Sequence, residues 1–152
     1  MKLAEALILR ADYQKRLAQL NQRLVNNARV QEGELPPEDP QQLLAELDNM
    51  VDQLKWLIQV INRTNSQTLF QEQRLSDALA ERDMLMLKRN AYSHLVDAAS
   101  LQQSRYSCSE IKFICTVNVA QLQQQVNDLS RRYRELDSQI QAMNWQVDLV
   151  ES

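Results

Sequence analysis

Apolar residues recur every three or four positions along most of the chain, which is the spacing of one face of an α-helix. The pattern is interrupted by polar or proline-containing stretches, and it predicts four long helices, over residues 1–31, 40–62, 76–104 and 118–150. Pro36 and Pro37 end the first pattern, because proline cannot continue a helix. Asp39 as the N-cap and Pro40 at the first helical position predict where the second helix begins.

Each predicted helix has an apolar stripe that we expect to face the core. The first is formed by Leu3, Leu7, Tyr13, Leu17, Leu20 and Leu24. The second contains Leu47, Met50, Leu54, Leu57 and Ile61, and is widened by Leu44, Val51 and Ile58. The third consists of Ala80, Met84, Leu87, Ala91, Leu95 and Ala98. The fourth has the regular spacing of a coiled coil and contains Leu122, Val126, Leu129, Tyr133, Leu136, Ile140, Met143, Val147 and Val150.

Residues 110–117 have a different period, because apolar side chains there recur at every second position, as in a β-strand. Three arrangements are open for this segment: a strap across the end of the bundle, pairing with a second extended piece near residues 68–70, or contact with another subunit. We favour the last, since an extended segment with apolar residues on both faces is seldom left unpaired in water. The predicted contact also includes two apolar residues near the end of the last helix. The candidate interface residues are Ile111, Phe113, Ile114, Cys115, Trp145 and Leu149.

The composition points to an all-α protein. A chain of 152 residues is typical of one domain, and one Gly and three Pro leave few tight turns and no glycine-rich phosphate loop. We therefore predict a single domain over residues 1–152. Its fold is expected to be an elongated antiparallel bundle of four long helices, with one short extended segment around residues 110–117.

Charge and hydropathy limit the partners. A net charge of −3 gives no general attraction for nucleic acid or anionic lipid, so no nucleic-acid partner is expected. No apolar run reaches about 18 residues, so we expect no stable membrane insertion. Glu5 and Arg10 interrupt the apolar N-terminal stretch that would otherwise resemble a signal peptide, and this favours a cytoplasmic location.

The chemically active residue types do not form a known catalytic or metal-binding motif. The single histidine, His94, follows Ala91 by three positions, so the Glu-x-x-His pairs of a di-iron bundle are missing. Cys108 and Cys115 lack the spacing of a zinc site, and we interpret them as reduced thiols. We predict no catalytic residue, no metal and no cofactor. A carboxylate-only Ca²⁺ or Mg²⁺ site stays open, drawn from Glu81, Asp83, Glu110, Glu135 and Asp137.

Two polar clusters have a structural and a functional interpretation each. Residues 62–65 either cap the second helix or bind something at the end of the bundle, and capping is favoured. Arg131, Arg132 and Arg134 either contact an anion or form a solvated helix face with local ion pairs, and the solvated face is favoured.

Several stretches resemble a septicolysin-like family of small bacterial proteins, most of them uncharacterised. The stretches are INRTN, LSDALAERDML, RYSCSEIKF, TVNVAQL and RELDSQIQAMNW, together with the N-terminal MKLAEALILRADYQKR. The family name implies an association with haemolysis, and the resemblance places no catalytic residue in this chain. The primary expectation is a non-enzymatic helical protein that forms a homo-oligomer or binds a protein partner. The alternatives are a haemolysin-like membrane-acting toxin and a ligand- or metal-binding bundle.

Overall fold

Four long helices form nearly all of the regular structure. The computed structural model describes residues 1–101 and 111–152, and its helices are α1 (Leu3–Asn26), α2 (Pro40–Gln67), α3 (Leu75–Ala99) and α4 (Val119–Gln146). A two-stranded antiparallel hairpin, β1 (Leu69–Phe70) and β2 (Gln73–Arg74), connects α2 to α3. The predicted fold class, an all-α helical bundle, is therefore confirmed.

The described chain forms two compact units. Unit 1 contains residues Met1–Arg74 and Gln141–Ser152, and unit 2 contains residues Leu75–Ile140. The expectation of a single domain stays a prediction.

In unit 1, α1 and α2 pack side by side in opposite directions. The predicted stripes of both helices face this contact, and Leu3, Leu20, Leu57 and Ile61 are buried. The prediction that α2 is covered on a second row as well is wrong for Leu44 and Val51, which are exposed.

The loop between α1 and α2 is held by side chains. Asn27 is buried at the end of α1, where its amide nitrogen donates to the Arg23 carbonyl (2.8 Å) and its amide oxygen accepts from the Glu38 N–H (2.9 Å). The Arg23 guanidinium donates to both carboxylate oxygens of Glu38. These bonds end α1 before the predicted residue 31. Gly33 lies in the loop at φ +89°, a conformation that glycine adopts without strain.

α2 begins as predicted but ends later. The Asp39 carboxylate accepts from the Gln41 N–H (3.0 Å), and Pro40 is the first helical residue. The helix continues beyond residue 62 to Gln67, so capping by residues 62–65 is a wrong prediction. Thr68 ends it, with its N–H and its hydroxyl both donating to the Thr64 carbonyl (2.9 and 2.7 Å). The predicted extended piece near residues 68–70 is confirmed as strand β1.

In unit 2, α3 and α4 lie antiparallel. Arg82 reaches Asp137 (Nη1 to Oδ1, 3.1 Å), and one or two turns further along α3, Arg89 donates to the Ser130 hydroxyl (3.2 Å). The Asn118 side chain accepts from the Gln121 N–H (3.0 Å), which confirms the predicted start of α4.

The apolar stripe of α3 that was predicted to be buried is exposed. The buried residues of α3 are Leu75, Ala78, Leu85 and Val96, and all six residues of the predicted stripe are exposed. The helix is apolar on two sides, and spacing alone does not show which side the chain covers. α3 ends at Ala99, and the predicted extension through residue 104 lies partly outside the described residues.

The stripe predicted on α4 faces inward from Leu122 to Met143, but the helix stops at Gln146. Val147 and Val150 belong to an extended C-terminal tail, residues 147–152. The tail pairs with the N-terminus: the Leu3 N–H donates to the Val147 carbonyl (2.9 Å) and the Leu149 N–H donates to the Met1 carbonyl (3.0 Å). Lys2 and Asp148 form the antiparallel bridge between the two segments.

Candidate interaction surfaces

Two residues of the polar stretch 62–65 hold the C-terminal tail. The Thr64 side chain is buried in α2, donates to the Val60 carbonyl (2.8 Å) and accepts from the Val150 N–H (2.9 Å). Arg63 donates to the Val150 carbonyl (3.2 Å). These residues therefore have an internal structural role that the sequence did not indicate, since their partners lie more than eighty positions away.

Lys2 reinforces the same end of unit 1. Its ammonium group lies 2.9 Å from the Asp148 carboxylate and donates to the Gln146 carbonyl (3.2 Å). The hydrogen bond from Lys2, with the attraction between the opposite charges, holds the pKa of the Asp148 carboxyl below its ordinary value. Both groups are exposed, so the pair adds little to stability at physiological salt.

An apolar groove runs along the surface of unit 1 between α1 and α2. Its cavity volume is about 370 Å³, and it is lined by Leu9, Tyr13, Asp52, Gln53, Trp56 and Leu57. A second depression, of about 520 Å³, adjoins it through the shared residue Leu9. The second depression is lined by Met1, Glu5, Ile8, Leu9 and Asp12. Apolar side chains thus form a continuous concave surface on unit 1.

Carboxylates stand along this groove. Asp52 lines the first cavity, and Glu5 and Asp12 line the second. Each has a local donor: Lys55 for Asp52 (2.9 Å), Arg16 for Asp12 (2.9 Å) and the Lys2 N–H for Glu5 (2.7 Å). The result is an apolar floor with acidic groups at its edge, which would favour a partner that is apolar and positively charged.

Unit 2 exposes the apolar stripe on α3. Met84, Leu87 and Leu95 are all among the exposed large apolar residues, and Leu87 is 61% exposed. Ala80, Ala91 and Ala98 complete the row at helical spacing and are exposed too. Exposed apolar residues are ordinary singly, but a row along one helix face is typical of a protein–protein contact.

The extended segment is the most exposed apolar sequence in the described chain. Residues Ile111–Thr116 have no regular secondary structure, and Phe113 and Ile114 are 80% and 84% exposed. The strap hypothesis is therefore wrong for these two side chains. The described partner of β1 is β2, and the predicted pairing of the segment with residues 68–70 stays a prediction. The predicted contact with another subunit stays a prediction.

The remaining predicted interface residues differ in their exposure and in their position in the fold. Cys115 is exposed, and its thiol contacts the Val117 carbonyl (Sγ to O, 3.0 Å). Trp145 is exposed on the last turn of α4. Leu149 lies beyond α4 and is half-buried in the tail, so its prediction as part of a helix face is wrong. Cys108 and Glu110 lie outside the described residues.

Two of the candidate carboxylates, Asp83 on α3 and Asp137 on α4, pair with the same arginine. Arg82 contacts Asp83 (3.3 Å) and Asp137 (3.1 Å). Within residues 1–101 and 111–152, no three His, Cys, Asp or Glu side chains come together as a metal site. Arg131 pairs with Asp128 (2.6 Å), in keeping with the favoured interpretation of a solvated face with local ion pairs. Over the same residues, each helix is either too short or too polar to cross a membrane.

Comparison with known proteins gives a family. Residues 10–149 match the model of a family of unknown function, DUF6847. The chain belongs to this family. It is also similar to a functionally unknown conserved protein from Corynebacterium diphtheriae of known crystal structure, with 44% sequence identity, a TM-score of 0.93 and 99% of each chain covered. No curated protein matches. For this DUF6847 protein, the function has to be argued from its surfaces.

Proposed function

We propose that this DUF6847 protein is a non-enzymatic helical protein that assembles with copies of itself, and that the exposed stripe of α3 forms the contact. The observation that carries the proposal is the row of exposed apolar residues on α3, spaced like one face of a coiled coil. A second copy is the proposed partner because this face is complementary to itself.

The apolar residues support an antiparallel, two-fold contact. About the point midway between Leu85 and Met86, Ala80 takes the place of Ala91, and Met84 takes the place of Leu87. A two-fold axis at that point would bring the small Ala80 against Ala91 and the large Met84 against Leu87, and would set Leu95 level with Ser76. A two-fold contact uses the same patch on both subunits, so this symmetry of side-chain size is what it requires.

The exposed charges support the same axis. Asp83 is as far before the midpoint as Lys88 is after it. These opposite charges would therefore lie at the same level of the two helices, on either side of the contact. In a parallel arrangement, each charged side chain would instead lie level with the same side chain of the other copy. The repulsion between these like charges disfavours the parallel arrangement.

The test is the oligomeric state of the full chain by light scattering coupled to size-exclusion chromatography over a range of protein concentrations. The wild type is expected to associate, and Leu87→Asp is expected to dissociate it, because a charge would be buried in an apolar contact. Gln124→Asp, on an exposed position of α4, is the control that adds the same charge elsewhere. Far-UV circular dichroism checks that each variant keeps its helices.

A charge exchange tests the orientation. Lys88→Glu places an acidic group level with Asp83 of the other copy and should weaken association. Adding Asp83→Lys should restore it, because the opposite charges are then exchanged rather than lost. A wild type that is monomeric at about 100 μM, which bounds the affinity at about −5.5 kcal/mol, would contradict the proposal. So would association that Leu87→Asp leaves unchanged.

A further inference from the structure

The groove of unit 1 and the extended segment are complementary in chemistry. The groove combines an apolar floor containing Trp56 and Tyr13 with the carboxylate of Asp52. The segment Ile111–Thr116 carries Phe113 and Ile114, both more than three-quarters exposed, next to the exposed Lys112. Each therefore exposes the apolar surface and the charge that the other would complement.

We infer that the groove between α1 and α2 receives the segment Ile111–Thr116 of a second copy of the chain, with Phe113 in the groove and Lys112 beside Asp52. The inference rests on the proposed self-association and adds a second, separate contact to it. The occupant is a copy of this chain because every copy carries both surfaces, and because the charged residues lining the groove are acidic whereas the segment carries Lys112. Lys112 would join Lys55 as a partner of the Asp52 carboxylate.

The dimensions suit an aromatic side chain. The cavity of about 370 Å³ is in the size range of sites that enclose small ligands, and its lining residues Leu9 and Leu57 are apolar. Trp56 is 48% exposed and offers a ring face or edge to an entering aromatic ring. Lys112 and Phe113 are neighbours in a segment without regular secondary structure, and Asp52 is exposed at the edge of the groove, so Phe113 would enter the floor while the long Lys112 side chain reaches the rim.

The groove and the segment are different surfaces, so this contact is head-to-tail. A head-to-tail contact either closes a ring or continues as a filament, whereas the proposed contact through α3 is two-fold and closes by itself. The two contacts can therefore be separated by experiment, because Leu87→Asp affects α3 and leaves both the groove and the segment unchanged.

Trp56 provides the measurement. The chain has two tryptophans, so Trp145→Phe leaves Trp56 as the single tryptophan in the full-length protein. Its emission should move to shorter wavelength as the protein concentration rises, because the indole is expected to leave water on association. Phe113→Asp should shift the midpoint of this transition to at least about tenfold higher concentration, the usual effect of losing a central aromatic contact. The Leu87→Asp variant in the same background should keep the transition, even if the α3 contact does not exist.

Complementation identifies the two partners. Phe113→Asp damages the segment and keeps the groove, and Trp56→Ala damages the groove and keeps the segment. In the Leu87→Asp background, which removes the proposed α3 contact, neither variant should form the contact alone, and a mixture of the two should form it once per pair, detectable as a heterodimer by native mass spectrometry. Likewise, Lys112→Glu and Asp52→Lys should each weaken the transition, and the double variant should restore it.

Three results would overturn the inference. Trp56 emission could stay unchanged with concentration, it could change equally in Phe113→Asp, or the mixture of damaged chains could fail to associate. A Trp56 transition without any response to Leu87→Asp in light scattering would instead reject the α3 contact and retain this one.

Discussion

The hydroxyl of Thr64 accepts a hydrogen bond from the backbone N–H of Val150, at 2.9 Å, and donates one to the Val60 carbonyl at 2.8 Å. One buried side chain of α2 thus satisfies two polar groups and ties the C-terminal tail to the helix. Arg63 adds the bond to the Val150 carbonyl. Both backbone polar groups of Val150 therefore have partners on α2, which lets the chain leave α4 at Gln146 and run as an extended tail.

Thr64→Val tests this clamp. The substitution keeps the shape of the side chain but leaves the Val150 N–H without its acceptor, so we expect a loss of about 1–3 kcal/mol in the free energy of unfolding. Ser66→Ala is the control, because Ser66 is exposed and its hydroxyl bonds only the local Arg63 carbonyl. Urea denaturation measures the loss, and faster amide exchange at Val150 locates it. Equal stability of the two variants would show that the bond is dispensable.

Leu85 and Leu87 are two positions apart on α3 and test which face is buried. Leu85 is 9% exposed, so Leu85→Ala should lower the free energy of unfolding by about 2–5 kcal/mol. Leu87→Ala should change it by about 0.5 kcal/mol or less, provided that unfolding is measured at a concentration where the chain is monomeric. Thermal and urea unfolding of the two variants show which face of α3 is buried. A larger effect at Leu87 would restore the face predicted from the sequence.

The sequence was sufficient for the fold class and for the helix starts, because these depend on local signals. Asp39, Pro40 and Asn118 mark helix starts through side chains that bond the adjacent backbone. The stripe of α4 could be predicted up to Met143 for a similar reason, since its regular spacing is a property of the segment itself.

The errors concern features that depend on distant parts of the chain. α3 is apolar on two faces, and the stripe predicted from spacing is the exposed one. No Gly or Pro follows Gln146, so the end of α4 is set by the N-terminus and by α2 rather than by a local stop signal. Arg63 and Thr64 lie near the end of α2, and their partner Val150 is more than eighty positions away, so local signals did not indicate this contact. The groove of unit 1 was missed because its residues come from two helices.

Asp148 and Glu38 predict how stability changes in acid. Lys2 lowers the pKa of Asp148 by a hydrogen bond and by its charge, and the bond from Arg23 is the main cause that lowers the pKa of Glu38. Each ion pair therefore contributes fully to the free energy of unfolding above the ordinary carboxyl pKa, about 4. This contribution is lost as the pH falls through the lowered pKa of the folded protein.

The variants Asp148→Asn and Glu38→Gln should reduce the slope of stability against pH below about pH 4. Glu32→Gln, in the exposed loop after α1, is the matched control. Because the pairs are exposed, the difference should shrink in about 1 M salt. Unfolding by urea between pH 2 and pH 7 gives the slopes. An Asp148→Asn profile parallel to that of the wild type would show that the Lys2 pair does not act in solution.

Removal of metal ions should leave the protein unchanged. Among the described residues, the candidate carboxylates Asp83 and Asp137 both pair with Arg82, whose positive charge disfavours a cation between them. We expect the melting temperature and the oligomeric state to be the same before and after dialysis against EDTA. A clear fall in melting temperature that Ca²⁺ or Mg²⁺ reverses would reveal a site that includes residues such as Glu110, outside the described chain.

A haemolysin-like toxin stays an alternative hypothesis to the proposed assembly role, and dye release from lipid vesicles separates the two. We expect leakage to be absent or weak with both neutral and anionic lipid. The net charge of −3 opposes adsorption to anionic membranes, and the acidic residues Glu5 and Asp12 stand beside the exposed apolar surface of α1.

The assay is run with and without reductant, because Cys115 is an exposed thiol. Dye release by detergent defines complete leakage. The Phe113→Asp variant tests whether the extended segment takes part in any leakage. Dose-dependent leakage by the wild type that Phe113→Asp abolishes would make the segment a membrane-active element and would place the toxin hypothesis ahead of self-association.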